Sequence, residues 1–267
     1  MDPRFSMAGR TALITGGSLS IGRALALAFA ENGANIAIHY AAAADAAYGF
    51  PDAAAETAQE CSGRGARVAT IEADLVAPGA GTRVVEEAIA RLGQVDILVV
   101  GASIQYRGGF ETITPEQVQR QVAINFQATI DLMQAALPPM RERGWGRVLT
   151  IGSINQVRPE PGLVVYAALK DAQKNLCLNL ARQYAGVGVN LNNLAPGLIA
   201  TERNRWRRDD ATAWAQIQRN ISPTGRAGTP GDLVGAALLL CSDAGAYIAG
   251  ADLMVTGAGH LPGFDPA

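Results

Sequence analysis

The chain has 267 residues, of which 49% are hydrophobic and 17% are charged, and its formal net charge is −2. A chain of this size and composition buries one large core, so we predict a single domain over residues 1–267. The small negative charge supplies no positive field for nucleic acid or for an anionic membrane surface, so neither is expected as a partner.

The N-terminus, MDPRFSMAGR, lacks the apolar segment of a secretory signal, and no later stretch approaches the roughly 20 apolar residues that cross a bilayer. We therefore predict a cytoplasmic protein. Its three cysteines are far apart and form no C-x-x-C pair, so we interpret them as reduced thiols that pack like small hydrophobic side chains. With only two histidines in the chain, no metal site is expected.

Seven short apolar or β-branched runs alternate with longer Ala- and Leu-rich segments, which is typical of strands separated by helices. Such strands form a parallel sheet that is covered on both faces, so the predicted fold is α/β, a doubly wound sheet of about seven strands. Ligands of this architecture bind beyond the carboxyl ends of the strands. The predicted strands are TALIT, NIAIHY, RVATIEA, VDILVV, GRVLTIG, GVNLNNL and ADLMVTG.

The first predicted strand runs into the segment TGGSLSIG and then into a helix. Gly16 suits a tight turn and Gly22 suits close packing of the helix on the sheet, while the free amides at the helix start attract phosphate. Ser20 places a side chain where a pyrophosphate is expected to pass, which requires a negative φ and a hydroxyl that donates a hydrogen bond. The turn alone is weak evidence for a nucleotide, because an ordinary strand-to-helix loop has a similar composition.

The second predicted strand ends in His39 and Tyr40 and not in the carboxylate that binds the ribose hydroxyls of NAD. The missing acid favours NADP(H) over NAD(H), because an acid would repel the 2′-phosphate. No Arg or Lys lies in the glycine turn, so His39 and Arg23 are the nearest basic candidates for that phosphate. Beyond Tyr40 we predict a loop around 48–52 and a helix from about Ala53.

The ends of the third and fourth predicted strands supply further candidates for the nucleotide. Asp74 is placed to accept a hydrogen bond from an adenine amino group or, as the alternative, to cap the helix that follows. Gly101 lies in the segment VGAS, whose small residues let a flat ring approach the backbone.

The fifth predicted strand is followed by Ser153, and a helical segment then carries Tyr166 and Lys170 four residues apart. Side chains at i and i+4 share one face of a helix, so both are expected in one cleft. A nearby ammonium favours the tyrosinate, which makes a phenol usable as an acid or base near neutral pH. Ser153 is then placed to bond a substrate oxygen. A Tyr-x-x-x-Lys pair is common by itself, and its position after the glycine turn and the strand-end serine gives it weight.

These motifs, in this order, resemble those of the short-chain dehydrogenases/reductases, and the resemblance covers nearly the whole chain. The glycine turn is similar to T-G-x-x-x-G-x-G of that family, the helical pair to Y-x-x-x-K, and NNLAPGLIAT to the segment that flanks the nicotinamide. The resemblance implies a Rossmann-like fold and hydride transfer between a nicotinamide cofactor and an alcohol or carbonyl substrate. It also implies a homotetramer, with a homodimer as the alternative.

The resemblance also implies a role for individual residues. Tyr166 would exchange a proton with the substrate oxygen, Lys170 would contact the nicotinamide ribose, and Asn125 would hold a water that relays protons. The catalytic residues implied are Asn125, Ser153, Tyr166 and Lys170. The residues implied at the cofactor are Gly16, Ser18, Ser20, Ile21, Gly22, His39, Tyr40, Asp74, Leu75, Gly101, Tyr166, Lys170, Pro196, Gly197, Ile199 and Thr201.

Two departures from the family pattern are expected to reshape the cofactor site and to leave the catalytic positions untouched. Ser20 replaces the middle glycine, and VGAS replaces N-N-A-G. The segment LSIG also resembles the glycine turn of the enoyl-reductase branch, in which six residues lie between the Tyr and the Lys. That spacing would need a tyrosine at Leu163, so carbonyl or alcohol chemistry is favoured over double-bond reduction.

Residues 198–229 carry no strand signal and are rich in Arg and Trp, which suits a lid over a substrate pocket. Trp206 and Trp214 are predicted on its buried face or, as an equal alternative, as anchors in the core. We interpret the run RNRWRRDD as a solvated helix face balanced by Asp209 and Asp210, with a carboxylate or phosphate site as the alternative.

Amides near the pocket favour a polyol, sugar or hydroxy acid as the substrate, although these amides could equally form hydrogen bonds to loop backbone. The substrate candidates are Gln105, Asn155, Gln156 and Trp206.

Two other functions stay open beside the favoured NAD(P)-dependent oxidoreductase. A 3-oxoacyl reductase would need a basic patch for its carrier protein, which the sequence does not locate. A catalytically weak protein that senses a nucleotide would keep the fold and lose turnover, and the altered glycine turn is its only support.

Overall fold

A computed structural model describes residues 2–263 of the chain. Its seven strands form one parallel sheet in the spatial order β3-β2-β1-β4-β5-β6-β7, which confirms the predicted α/β fold. The order changes direction between β1 and β4, so the carboxyl ends of these two strands form the switch point at which ligands bind. The strands are β1 Thr11–Thr15, β2 Asn35–Tyr40, β3 Val68–Glu72, β4 Ile97–Val100, β5 Gly146–Ile151, β6 Val189–Pro196 and β7 Asp252–Val255.

Within the described part of the chain, nine α-helices connect or follow these strands, and a π-helical turn, Ala123–Gln127, joins α5 to α6. The π turn holds one residue more per hydrogen-bonded ring than an α-helix. The helices are α1 Ser20–Glu31, α2 Ala42–Ala47, α3 Ala53–Gly63, α4 Ala80–Leu92, α5 Pro115–Val122, α6 Ala128–Arg143, α7 Val164–Tyr184, α8 Ala211–Ile221 and α9 Val234–Cys241.

Two buried clusters lie on opposite faces of the sheet. Leu13 of β1 belongs to the cluster with α4, α6 and α7, whereas its neighbours Ala12 and Ile14 belong to the cluster with α1 and α9. Alternate residues of each strand therefore enter different cores, and every position of β1, β4 and β5 is buried. This double burial is why the strands are continuous apolar runs in the sequence.

The predicted strands agree with the observed ones to within two residues at each end. The helix α3 begins at Ala53, as predicted, but the short helix α2 before the loop was not predicted. Residues 198–229 contain a 3₁₀ segment, Glu202–Arg208, and α8. Their single β contact is an isolated bridge between Ile199 and Gly228. We call residues 198–229 the lid segment.

The three cysteines are buried and unpaired, as predicted. Burial raises the pKa of the Cys177 and Cys241 thiols to about 12 and that of Cys61 to about 11, so all three stay protonated and act as packing groups. Among residues 2–263, no helix is both long enough and apolar enough to cross a bilayer.

Candidate active site

The glycine turn joins β1 to α1 at the switch point of the sheet. Gly16 has a φ of 67°, and a Cβ on Gly22 would lie 1.9 Å from the Gly16 carbonyl oxygen, so both positions require glycine. Thr15 connects this turn to the end of β4, because its Oγ1 accepts hydrogen bonds from the amides of Gly101 (3.0 Å) and Ala102 (3.2 Å). The threonine thus braces the two central strands beside the VGAS segment.

Ser20 has a φ of 50°, so the negative φ expected from the sequence is wrong. A side chain in this left-handed region costs ~1–3 kcal/mol, which glycine avoids. The Ser20 hydroxyl donates a hydrogen bond to the carboxylate of Glu202 in the lid segment. The serine therefore ties the glycine turn to the lid segment in this structure.

Ser18, expected at the cofactor, is buried with its hydroxyl pointing into the fold. Its Oγ donates to Oδ1 of Asp45 at 3.0 Å, and its carbonyl accepts from the Thr57 hydroxyl at 2.9 Å. Burial raises the pKa of the Asp45 carboxyl, and the bond from Ser18 opposes that shift. The Ser18 side chain therefore holds the turn against α2 and α3, and the contact of Ser18 with the cofactor stays a prediction.

His39 is buried at the end of β2, where both ring nitrogens meet backbone atoms. Nδ1 accepts from the Gly16 amide at 3.3 Å, which leaves Nε2 to donate to the carbonyl of Ala73 at 3.1 Å. Burial lowers the pKa of His39 to about 4, so the ring is neutral at pH 7. Arg23 is paired with Glu60 between α1 and α3. The expectation that His39 supplies charge for a 2′-phosphate is therefore wrong, because its ring is neutral. Arg23, the other candidate, is already paired with Glu60.

The ends of β2 and β3 carry the other candidates for the adenosine. Tyr40 is half-buried at the carboxyl end of β2. Asp74 accepts a hydrogen bond from the amide of Val76 at 3.0 Å, and its carboxylate stays more than half exposed. The N-cap of α4 is Gly79, so the alternative that Asp74 caps the next helix is wrong. Leu75 packs into the core against α4. An exposed carboxylate at this edge leaves Asp74 accessible to an amino group.

The segment after β6 leads from the sheet into the lid segment. Pro196 is buried, and the amide of Gly197 donates to Val255 at 3.0 Å. A Cβ on Gly197 would lie 2.7 Å from the Thr256 Cα, so only glycine fits. Ile199 is buried at the bridge to residue 228, and the half-buried Thr201 precedes the 3₁₀ segment.

Tyr166 and Lys170 lie on the inner face of α7, with 7% and 1% of their surfaces exposed. The Lys170 Nζ lies 5.9 Å from the centroid of the Tyr166 ring. The same nitrogen donates to the carbonyl of Ile151 at 2.6 Å, two residues before Ser153. The Ser153 Oγ accepts from the amide of Asn155 at 3.2 Å, which orients the hydroxyl. The strand-end serine and the helical pair thus share one end of the sheet.

Lys170 is buried without a carboxylate partner among the described residues. Burial lowers its pKa to about 7, and the positive charge of Arg203 acts in the same direction. Arg203 comes from the lid segment, and its Nη2 donates to the carbonyl (2.5 Å) and to Oγ (3.1 Å) of Ser103, just beyond β4. A guanidinium of the lid segment is therefore close enough to Lys170 to lower the pKa of its ammonium.

Asn125 lies in the π turn, fully buried, with its side-chain amide bound to the backbone of Ile104. Its Oδ1 accepts from the Ile104 amide and its Nδ2 donates to the Ile104 carbonyl, both at 2.8 Å. The side chain therefore fixes the loop after β4. Its own carbonyl accepts from the hydroxyl of Thr129 at 3.2 Å and from Nε2 of Gln173 at 3.5 Å.

Gln173 and Thr129 are the polar residues at this site that the sequence analysis missed. The Gln173 Oε1 accepts from the Lys170 Nζ at 3.0 Å, and its Nε2 donates to the Thr129 Oγ1 at 2.8 Å. The available signal was the spacing of three residues between Lys170 and Gln173, which places the amide on the buried face of α7.

The substrate candidates divide into two groups. Gln105 and Asn155 are half-buried, and among residues 2–263 their side-chain amides form no hydrogen bond. Gln156 instead donates to both carboxylate oxygens of Asp252 at 2.8 Å, so its amide nitrogen is already engaged and its role at the substrate stays a prediction. Trp206 is 61% exposed, so the expected buried position is wrong.

The arginines of the lid segment are not balanced by the two aspartates that follow them. Arg207 pairs with Glu160 at 3.7 Å, and the same carboxylate binds Arg107 of the loop after β4. Asp210 caps α8, accepting from the amides of residues 212 and 213. The interpretation of RNRWRRDD as one solvated, self-balanced face is therefore wrong for Arg203 and Arg207.

Comparisons with known proteins agree over nearly the whole chain. A family model described as enoyl-(acyl carrier protein) reductase matches residues 16–259. L-rhamnose-1-dehydrogenase from Scheffersomyces stipitis is 32% identical over 250 residues, which are 93% of this chain and 95% of that protein.

Two solved structures share both fold and sequence. A 3-oxoacyl (acyl-carrier-protein) reductase from Agrobacterium tumefaciens with NADP bound is 42% identical, with 95% of each chain covered and a TM-score of 0.89. A gluconate 5-dehydrogenase from Burkholderia cenocepacia in complex with NADP and tartrate is 32% identical, with 96% of this chain and 97% of that chain covered and a TM-score of 0.86.

Proposed function

The chain is an NAD(P)-dependent oxidoreductase of the short-chain dehydrogenase/reductase family, and we propose that its substrate is a polyhydroxylated carboxylate such as an aldonate. The reaction converts a secondary alcohol to a ketone, with loss of a hydride from carbon and of a proton from oxygen. The observation that carries the proposal is the position of the Arg203 guanidinium close to Lys170.

The residues present fit a nicotinamide nucleotide. Gly16 and Gly101 have no side chain, so a nucleotide can approach the backbone at the switch point of the sheet. The first amides of α1 face the same point as a site for phosphate. The Ser20 side chain is the one feature that does not fit. When bound, the nucleotide supplies the hydride acceptor. Ser153 then orients the substrate oxygen, the Lys170 ammonium stabilises the tyrosinate form of Tyr166, and this tyrosinate takes the proton of the substrate hydroxyl.

Arg203 supports a carboxylate on the substrate. Among the described residues only its Nη2 donates a hydrogen bond, which leaves the Nε and Nη1 hydrogens of the guanidinium for a substrate carboxylate. Arg107, in the loop after β4, and Arg207, in the lid segment, share a single carboxylate, Glu160, so positive charge is in excess around that carboxylate. The half-buried amides of Gln105 and Asn155 are suited to hydroxyl groups. The gluconate dehydrogenase with bound tartrate supports this substrate class.

The test compares two six-carbon polyols, D-gluconate and D-glucitol, which differ at one end by the carboxylate. Turnover is followed at the absorbance band of the reduced nicotinamide. We expect kcat/KM to be about tenfold or more higher for the carboxylate, because a charge-assisted hydrogen bond supplies that difference. Arg203→Met should abolish the discrimination, whereas the same change at the exposed Arg205 should not. Equal kcat/KM values for the two wild-type reactions would contradict the proposal.

We also propose that NADP(H) is favoured over NAD(H). The support is Tyr40 at the end of β2, where no acid repels a 2′-phosphate, and the NADP bound in both solved relatives. With His39 neutral and Arg23 paired to Glu60, the preference rests on the missing acid, so we expect a modest ratio of kcat/KM. Tyr40→Asp should reverse that ratio, and an unchanged ratio would contradict the proposal.

The 42% identity to a 3-oxoacyl reductase favours a second candidate, the reduction of a 3-oxoacyl thioester. An acetoacetyl thioester offered with NADPH distinguishes the two candidates. Consumption of NADPH with this thioester, and no oxidation of aldonates, would establish the second candidate in place of the first.

We further propose a homotetramer, with a homodimer as the alternative, built on the outer face of α7. Ala168, Ala172 and Leu176 line a groove there together with Phe126, and Val164 is exposed at the helix start. Light scattering of the purified protein decides between these states.

The single domain with a lid at 198–229 and the cytoplasmic location stay predictions.

A further inference from the structure

A buried hydrogen-bonded chain links the catalytic lysine to the π turn. The Lys170 Nζ donates to Gln173 Oε1, and Gln173 Nε2 donates to the Thr129 hydroxyl and to the Asn125 carbonyl. Gln173 and Thr129 have no exposed surface, so water does not compete for these bonds. The chain thus joins three elements, α7, α6 and the π turn, through side chains that no solvent reaches.

The orientation of the Gln173 amide follows from its neighbours. The Thr129 hydroxyl donates its hydrogen to the Asn125 carbonyl, so it has only a lone pair for Gln173. The side of the amide that faces Thr129 must therefore be the NH₂ group. The amide oxygen therefore faces Lys170. In the opposite orientation the NH₂ group of Gln173 would face the Lys170 ammonium, and both groups are hydrogen-bond donors.

The charged groups around Lys170 oppose its positive charge or do not affect it. Arg203 from the lid segment repels it, and the ring of Tyr166, on the same helix, lies 5.9 Å from its Nζ. Asp171 is exposed on the outer side of α7, where it pairs with Lys174 at 2.6 Å. The strand β5 offers a backbone carbonyl, and the π turn and α6 offer only uncharged side chains. Among the described residues, the acceptors that stabilise the ammonium are the Ile151 carbonyl and the Gln173 amide oxygen.

We propose that Gln173 is a positioning residue, whose amide oxygen keeps the Lys170 ammonium charged and directed beneath the Tyr166 ring. It acts through Lys170 and touches no reacting atom. A buried amine that lost this acceptor would lose its proton at a lower pH, because burial already penalises its charged form. The charge that assists Tyr166 would then be absent over part of the working pH range.

The test is the pH profile of kcat in two variants with opposite expectations. Gln173→Leu removes the acceptor, so the alkaline limb, where Lys170 deprotonates, should move to lower pH by roughly one unit. Gln173→Glu places a carboxylate at the ammonium, so the same limb should move to higher pH. At the wild-type optimum we expect kcat of the Leu variant to fall about tenfold with little change in KM.

Two controls separate positioning from damage to the fold. Gln183→Leu makes the same substitution on the exposed side of α7 and should leave the profile unchanged. Thr129→Val removes the partner of the amide NH₂ group and should shift the limb less than Gln173→Leu does. If Gln173→Leu fails to fold, Gln173→Glu and Thr129→Val still carry the test. Limbs that stay in place, or that move in the same direction in the Leu and Glu variants, would overturn the proposal.

Discussion

The glycine turn and the catalytic cleft use buried polar side chains in opposite ways. In the turn, Ser18 and His39 face inward and hold the backbone in shape, both of them uncharged at pH 7. In the cleft, Lys170 and Gln173 face inward to place a charge beside a phenol. The difference follows from the chemistry: backbone amides bind a phosphate, whereas proton transfer needs a side chain. A polar residue of a nucleotide motif is therefore weaker evidence of contact than one of an acid–base motif.

The largest expected effect concerns Tyr166, the phenol of the cleft. Tyr166→Phe removes the phenolic oxygen that, as the tyrosinate, accepts the substrate proton, and should lower kcat by about 10²- to 10⁴-fold. Binding of the reduced cofactor, measured by its fluorescence, should stay close to wild type because the ring is retained. Turnover that survives the change would refute the acid–base role. A wild type that binds the nucleotide and never turns over would favour the sensing function.

The second-largest effect concerns His39, a buried polar residue of the glycine turn, and the dependence of stability on pH. The pKa of His39 is about 4 in the folded chain and near 6.5 when unfolded, so below pH 6.5 the unfolded state binds the proton that the fold excludes. The stabilisation is complete above pH 6.5 and is lost as the pH falls towards 4, by ~3 kcal/mol in all. Melting temperatures at pH 7 and 5 should diverge less in His39→Gln than in wild type. His260→Gln is the matched control, and an equal slope in all three proteins would contradict the prediction.

The smallest effect concerns the contact between the turn and the lid segment. Glu202 brings a carboxylate to Ser20, beside the path expected for the pyrophosphate. Glu202→Gln should lower the KM for the cofactor by roughly three- to tenfold, because two like charges no longer approach each other. Ser20→Gly should act in the same direction and also remove the strain at its φ. Glu31→Gln, an exposed change at the far end of α1, should leave this KM unchanged. A higher KM in Glu202→Gln would mean that the carboxylate helps the cofactor to bind.

The fold could be predicted because its determinants are local. Strands buried on both faces are mostly apolar, so β1, β4 and β5 can be found without knowledge of their neighbours. The pairing of Tyr166 with Lys170 was equally accessible, since four residues on a helix define a common face.

The remaining features depend on contacts between distant segments. Gln156 binds Asp252, 96 positions further along the chain, and Gln173 meets Thr129 across two helices. The φ of Ser20 is set by the path between β1 and α1, which its residue type opposes. Spacing within one segment carries no information on any of these three, so they required coordinates.

The wide turn at Ala123–Gln127 has a consequence for how the substrate cleft can diversify. Regular α-helical winding advances about 100° per residue, so a one-residue deletion here would swing Asn125 away from Ile104. The loop that carries Gln105 would then be released from its anchor. Insertions and deletions at this point would remodel the cleft wall while leaving Tyr166 and Lys170 on an intact helix.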